Sequence, residues 1–319
     1  MRNVISIVSA GLIGGGALLA CSSSSGGSSV SASQAAADIA KAFCTKVNTC
    51  SPVGIQVAFG DLAACESRET ALFTEALGAS GTGWTPSAVE TCAQAVDGSS
   101  CDDALDHNLP SACHAPAGQL ASGAACGDNA QCSSGYCNLG AGGKCGTCAA
   151  GLGAAGAVCY RDDDCVFGAK CVGADVTASP AVQGKCTAPG ATGAACSTKQ
   201  PCAATLACKS GTCGTPDAAG ASCMTNSCGG LAGEYCSMPT GGTCTKYLLA
   251  STGQPCALVN GTYTACSAAG TCPMTGTAKT CVAPAADFAN CNAANGPGCT
   301  SPAQCIGGTC VRPSPATCH

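Results

Sequence analysis

The chain has 319 residues, with 33 Cys and 44 Gly against five Phe, five Tyr and one Trp. So few large side chains cannot fill the core of an ordinary enzyme of this length, and so many thiols exclude a reducing compartment and point to disulfides in an oxidising one. The formal net charge is −5, and the 13 Lys and Arg form no basic cluster, which excludes nucleic acid as a partner.

Arg2 opens a short positive segment, and Val4 to Leu19 is an apolar run that is short for a membrane span and right for a signal peptide. It ends in Leu18-Leu19-Ala20-Cys21, which resembles a bacterial lipobox. That resemblance implies a signal peptide over residues 1–20, cleavage before Cys21 and lipidation of Cys21, with palmitate among the expected chains. Ser22, where Asp would favour inner-membrane retention, implies the outer membrane or cell surface. Several acyl chains anchor stably, since each buried CH₂ contributes roughly 0.8 kcal/mol. Residues 21–33 continue as a Ser/Gly tether, SSSSGGSSVSAS after Cys21. With Cys21 lipidated, thirty-two of the 33 Cys remain, an even number that permits sixteen disulfides.

Residues 34–117 read as a small helical Cys-rich domain. Ala36, Ile39, Ala40, Phe43 and Val47 follow helical spacing. Asp61 is placed to cap a helix over Leu62 to Leu77, with Gly78 as its stop. Thr85-Pro86 opens a third helix, Ser87 to Val96, with Val89, Cys92 and Val96 on one face. Ser100 to Asn108 reads as a short fourth. Cys44, Cys50, Cys65, Cys92, Cys101 and Cys113 are expected to form three bridges here, with fifteen pairings open.

Residues 118–319 repeat a unit of four Cys introduced by Gly and closed by Gly-x-Cys. The first unit is read as Cys126, Cys132, Cys137 and Cys145, and the second as Cys159, Cys165, Cys171 and Cys186. The third holds Cys196, Cys202, Cys208 and Cys213, and the fourth Cys223, Cys228, Cys236 and Cys244. The fifth, more degenerate, holds Cys256, Cys266, Cys272 and Cys281, and the sixth Cys291, Cys299, Cys305 and Cys310. First cysteines recur every 27 to 37 residues, and Cys148 and Cys318 fall outside the pattern. Each unit is too small to fold on a core, so disulfides closed within the unit are expected, each contributing ~2–4 kcal/mol. Of three possible pairings, first-to-third with second-to-fourth is preferred, because interleaved bridges tie the whole unit together. The expected fold is thus small disulfide-rich modular repeats of loops, turns and short hairpins, preceded by a small disulfide-stapled all-α domain.

The unit GAACGDNAQCSSGYC with the GGKC that follows resembles the Dickkopf N-terminal cysteine-rich repeat and, more loosely, EGF-like modules. Lipobox, tether and repeated units together resemble the cysteine-rich lipoproteins of myxobacteria. The resemblance covers roughly residues 118 to 310, is carried best by Cys126, Cys132 and Cys137, and implies a scaffold without implying a ligand.

Few residues suggest chemistry. Cys145-Gly-Thr-Cys148 is a CxxC, but no βαβ pattern surrounds it, so two structural cystines with different partners are expected. The copies do not present the paired CxxC groups that zinc favours. Asp162-Asp163-Asp164 clusters carboxylates of the kind calcium takes, yet no EF-hand spacing follows and the other units lack it, so a solvated turn is expected. His107, His114 and His319 stand in no nucleophilic pairing, and no Walker, Rossmann or HExxH motif occurs, so neither catalysis nor a cofactor is expected. The favoured reading is a non-enzymatic surface lipoprotein, held to the membrane through Cys21, that binds an envelope or extracellular protein or glycan or serves as structure. A secreted-type inhibitor or toxin-like module is the alternative, and an enzyme with an unrecognised site in the helical part is a third.

Overall fold

A computed structural model describes residues 30–318 apart from 225–226, 239, 260–261 and 277–278. Cys21, the signal segment and most of the tether lie outside the described residues. None of the described helices is long and apolar enough to cross a membrane.

Among the described residues five α-helices lie near the N-terminus. α1 (Ala32–Cys50) starts where Ser31 accepts a hydrogen bond from the Gln34 amide, and buries Ile39, Phe43, Cys44 and Val47 along one stripe. α2 (Pro52–Ala58), absent from the sequence reading, begins with Ser51 as N-cap and Pro52 in its first turn. α3 (Leu62–Leu77) is capped by Asp61, whose Oδ1 accepts from the Ala64 amide at 2.7 Å. It stops at Gly78, which stays right-handed at φ −86°, and the chain reverses instead at Gly81, φ +75°. α4 (Pro86–Asp97) is capped by Thr85 and buries Val89, Cys92, Ala93 and Val96. α5 (Cys101–Leu105) is shorter than expected, because His107 takes a left-handed φ of +58° and turns the chain out of the helix. Cys44–Cys65 ties α1 to α3, Cys50–Cys101 ties α1 to α5, and Cys92–Cys113 ties α4 to the following turn.

The six units follow, built on small sheets. Unit one has β1 (Ala125–Cys126), β2 (Cys137–Asn138) and β3 (Gly146–Cys148), with β3 central. Unit two repeats this with β4 (Val158–Cys159), β5 (Lys170–Val172) and β6 (Gly184–Thr187). Unit three is a hairpin of β7 (Ala207–Lys209) and β8 (Thr212–Gly214). Unit four has β9 (Ser222–Met224), β10 (Glu234–Cys236) and the long central β11 (Thr240–Lys246). In unit five, β13 (Ala257–Val259) and β14 (Thr262–Cys266) form a hairpin inserted between its first two Cys, and β12 (Leu248–Ala250) pairs with β14 in parallel. Unit six is a hairpin of β15 (Gln304–Ile306) and β16 (Thr309–Val311).

The bridges in every unit run first-to-third and second-to-fourth, as in Cys159–Cys171 with Cys165–Cys186. The same interleaving holds in units three to six: Cys196–Cys208 with Cys202–Cys213, Cys223–Cys236 with Cys228–Cys244, Cys256–Cys272 with Cys266–Cys281, and Cys291–Cys305 with Cys299–Cys310. One assignment is corrected. The fourth Cys of unit one is Cys148, bridged to Cys132, with Cys126–Cys137 as its partner bridge. Cys145 instead pairs with Cys318, 173 residues away. The reason lies in the repeating backbone. The residue three before each first Cys donates its amide to the carbonyl of the fourth, as Gly156 does to Cys186 at 2.8 Å, and Gly123 donates to Cys148. Both Gly143-Lys144-Cys145 and Gly146-Thr147-Cys148 fit Gly-x-Cys, so the sequence pattern alone does not choose between them.

The glycines of the unit have two separate jobs. Gly123, Gly156, Gly193, Gly220 and Gly253, before the first Cys, sit at φ of +80° to +85°, where L side chains are strained. In Gly-x-Cys of unit two the need is space, since a Cβ on Gly184 would lie 2.6 Å from the Val172 carbonyl oxygen. Unit six breaks the first rule with Phe288, a non-glycine at φ +62°.

All six units lie against the helices and form a ring around them. Unit one meets the α3–α4 loop, where the Gly83 amide donates to Ala130 O and Gln119 to Gly81 O. Lys170 of unit two pairs with Asp106 at 2.5 Å, and Asp106 and Asp102 accept amides from Ala204 and Thr205 of unit three. Ser51 donates to Leu231 O of unit four, and the amides of Ala268 and Ala269 of unit five donate to Gln56 O and Val57 O at the end of α2. Arg68 on α3 grips Asp287 of unit six in a bidentate pair. The ring closes where Cys145–Cys318 and the Ser314 amide on Lys144 O join the end of the chain to unit one.

Candidate functional site

The sulfur atoms of Cys126, Cys132 and Cys137, of Cys159, Cys165 and Cys186, and of trios in other units lie within 4.8 Å of one another. Each is already in an S–S bond, so these trios are the packed centres of the units. Cys145 and Cys148 have different partners, as two structural cystines do.

Asp162–Asp164 forms a 3₁₀ turn and is not the solvated turn expected. Asp164 Oδ2 accepts the Tyr160 and Arg161 amides at 2.6 and 3.0 Å, and its Oδ1 accepts the Tyr136 hydroxyl of unit one at 3.1 Å. Asp162 accepts the Cys171 amide at 2.6 Å, and Asp163 lies 3.8 Å from His107 Nδ1. The carboxylates thus replace the side-chain amides of Asn129 and Gln131 in unit one, where Asn129 accepts the Cys137 amide and Gln131 those of Gly127 and Asp128. Their burial follows from a backbone loop that presents inward amides, which no composition signal reveals.

His107 and His114 stack on Phe167, with ring centroids 5.5 and 3.6 Å away. Burial holds both imidazoles below their usual pKa, against the nearby Asp162 for His107 and the Leu109 carbonyl for His114. They serve as packing at the joint between α5 and unit two.

The site with ligand-binding character was missed by the sequence reading. A cavity of about 110 Å³ lies between α1, α3 and α4 and the closing end of the ring. Ile39, Phe43, Phe73, Trp84 and Val89 supply apolar walls, and Pro302 and Gln304 of unit six, Pro315 beyond it, and Asp128 and Gly143 of unit one complete the lining. Glu69 of α3 also lines it and is only 4 % exposed. Among the described residues no hydrogen bond or ion pair reaches its carboxyl. Burial pushes that carboxyl up to about 7, against the opposing pull of Arg68. Gln304 Oε1 is likewise buried without a hydrogen-bond partner. A signal for Glu69 did exist: Cys65, Glu69, Leu72 and Ala76 share one face of α3, and Cys65 must face α1 to form its bridge. A second cleft, of about 390 Å³ beside α2 and unit five, holds no buried charged residue.

Next to the cavity, Arg312 bridges Asp287 and Glu75, so that Arg68, Asp287, Arg312 and Glu75 form one chain of charges from α3 to unit six. Burial disfavours charge on Asp287, but the hydrogen bonds from Arg68 and Arg312 outweigh it and hold the carboxyl below its usual range. Lys144 and Arg312 lie 5.2 and 5.6 Å from the Phe288 ring.

No known protein family, curated protein or solved structure matches this chain. The fold itself defines the class: a cysteine-rich modular protein with many disulfides, small, mostly antiparallel sheets and a few helices near the N-terminus.

Proposed function

We propose that this protein is a lipid-anchored, non-enzymatic binding module of the bacterial outer membrane or cell surface. Residues 34–117 act as a disulfide-stapled all-α hub, and residues 118–319 present Dickkopf-like units around it to an envelope or extracellular protein or glycan. The observation that carries this reading is the Leu18–Cys21 lipobox-like end of the apolar run, joined by a Ser/Gly tether to a body whose cysteines are bridged. A disulfide-knitted body on a flexible leash suits an oxidising, protease-exposed surface, because its units resist unfolding without a large core. The spacing of Cys126, Cys132 and Cys137 supports the Dickkopf-like reading of the units and carries no ligand with it.

Growth with a clickable fatty acid tests the anchor: label on the wild type and none on Cys21→Ser is expected, and equal labelling of both would remove it. Protease shaving of intact cells tests the exposed location, with loss of an epitope in unit three expected only if the protein faces outward. Crosslinking on cells, followed by identification of the joined species, then tests the binding role.

A further inference from the structure

We propose that the cavity between the helices and the closing end of the ring binds a small primary amine with an apolar body.

Two acceptors without hydrogen-bond partners, the Glu69 carboxyl and Gln304 Oε1, belong to residues that line one largely apolar space. Glu69 is 4 % exposed and its carboxyl meets no donor, and Gln304 Oε1 is buried with none. A buried acceptor without a donor costs a free energy comparable to a lost hydrogen bond, and most such atoms in folded proteins are satisfied. Gln304 Oε1 accepts, and so does the Glu69 carboxyl in its ionised form, which prevails at pH 8, the pH of the test below. What satisfies two acceptors, one of them a carboxylate, is a headgroup with several donors and a positive charge. A primary ammonium has three donors and no acceptor. A hydroxyl donates once and brings its own lone pairs, and an anion would face the Glu69 carboxylate directly.

Charge around the cavity favours the same choice. Of the other lining carboxylates, Glu75 is already held by Arg312 and Asp163 lies beside His107, which leaves Glu69 without a partner, and Arg161 is the one cation among the lining residues. Arg161 is already turned to the carbonyls of Gly140 and Ala141. The walls set the body of the ligand. Phe43, Leu72, Phe73 and Trp84 contribute apolar surface, and about 110 Å³ is smaller than the roughly 150 Å³ dry cavity that admits benzene, so four or five carbons fit. This inference does not depend on the lipid anchor.

Trp84 is the only tryptophan in the chain and lines the cavity, so its fluorescence reports occupancy. Full-length oxidised protein is titrated at pH 8 with n-butylamine, 1-butanol and butyrate, by Trp84 fluorescence and by calorimetry. Saturable one-to-one binding of n-butylamine is expected, at least tenfold tighter than that of 1-butanol and with no binding of butyrate. Glu69→Gln should weaken the amine tenfold or more and leave the alcohol within twofold. Gln304→Met, away from the helices, should weaken the amine several-fold and carries the test should Glu69→Gln fail to fold. Equal affinity for amine and alcohol, amine binding unchanged in both variants, or no saturable binding of the amine would each overturn the proposal.

Discussion

Burial holds the Glu69 carboxyl at about 7, whereas the unfolded chain titrates near 4.5. A raised carboxyl means that the folded state keeps its proton longer. Stability is therefore complete below pH 4.5, falls as pH rises toward 7 and is flat above it. Glu69→Gln should raise stability at pH 8 by up to about 3 kcal/mol and leave it unchanged at pH 4, as read by denaturant melts of the oxidised protein. His107 works in the opposite direction. Burial keeps it neutral below its ordinary 6.5, so stability present above pH 6.5 is lost as pH falls through the folded value. His107→Asn keeps a side chain tolerated at positive φ and should flatten this acid limb, whereas His107→Ala should lose stability at every pH. Phe288 replaces glycine at φ +62° and holds its ring near Lys144 and Arg312. Phe288→Ala keeps the strain and loses the ring, so it should be less stable than Phe288→Gly by about 1 kcal/mol, measured by thermal unfolding.

At the scale of the element, a unit is two interleaved cystines plus a backbone path that two glycines make possible. Gly156 sits at φ +85° in open space, and Gly184 sits against Val172 O and the Cys171 sulfur. Gly156→Ala should cost about 1 kcal/mol of backbone strain. Gly184→Ala forces β5 and β6 apart beside their own cystines and should cost more, with mispaired Cys165, Cys171 and Cys186 in non-reducing peptide maps. Equal disulfide fidelity in the two variants would show that the close approach at Gly184 is not needed. Helix starts obey local chemistry as well, since Ser31, Asp61, Thr85 and Ser100 each cap through a side-chain oxygen.

At the largest scale, the described residues form a ring of units closed around the N-terminal helices. Among the described residues fifteen bridges act within the helical segment or within a unit, and Cys145–Cys318 alone spans the ring. Because neighbouring bridges already shorten the effective loop, cutting it by Cys145→Ser with Cys318→Ser should cost about 3 kcal/mol. Hydrogen exchange should rise around residues 311–318, Lys144 and the cavity, while the within-unit bridges stay intact. Exchange rising equally in units three and four would mean that the ring is not held at this seam. Each unit's few hydrogen bonds to the helices then act together, so that the array covers a hub whose own side chains leave a cavity open.

The sequence by itself determined the local chemistry, namely the helix caps at Asp61 and Thr85, the even cysteine count and the four-Cys period, and it favoured the interleaved pairing among three without deciding it, because each depends on residues within one element or one unit. It also held α2 and the Glu69 face without making them plain, since a seven-residue helix with Gly54 inside shows little periodicity and a Glu on an apolar stripe reads as an exposed one. Only the tertiary structure decided that Cys148 and not Cys145 closes unit one, that Asp164 and Asp162 face backbone amides, and that the six units encircle the helices. Those outcomes rest on contacts between residues far apart in sequence, such as Arg68 with Asp287 and Cys145 with Cys318, and a repeat pattern carries no information about which surface its copies turn toward one another.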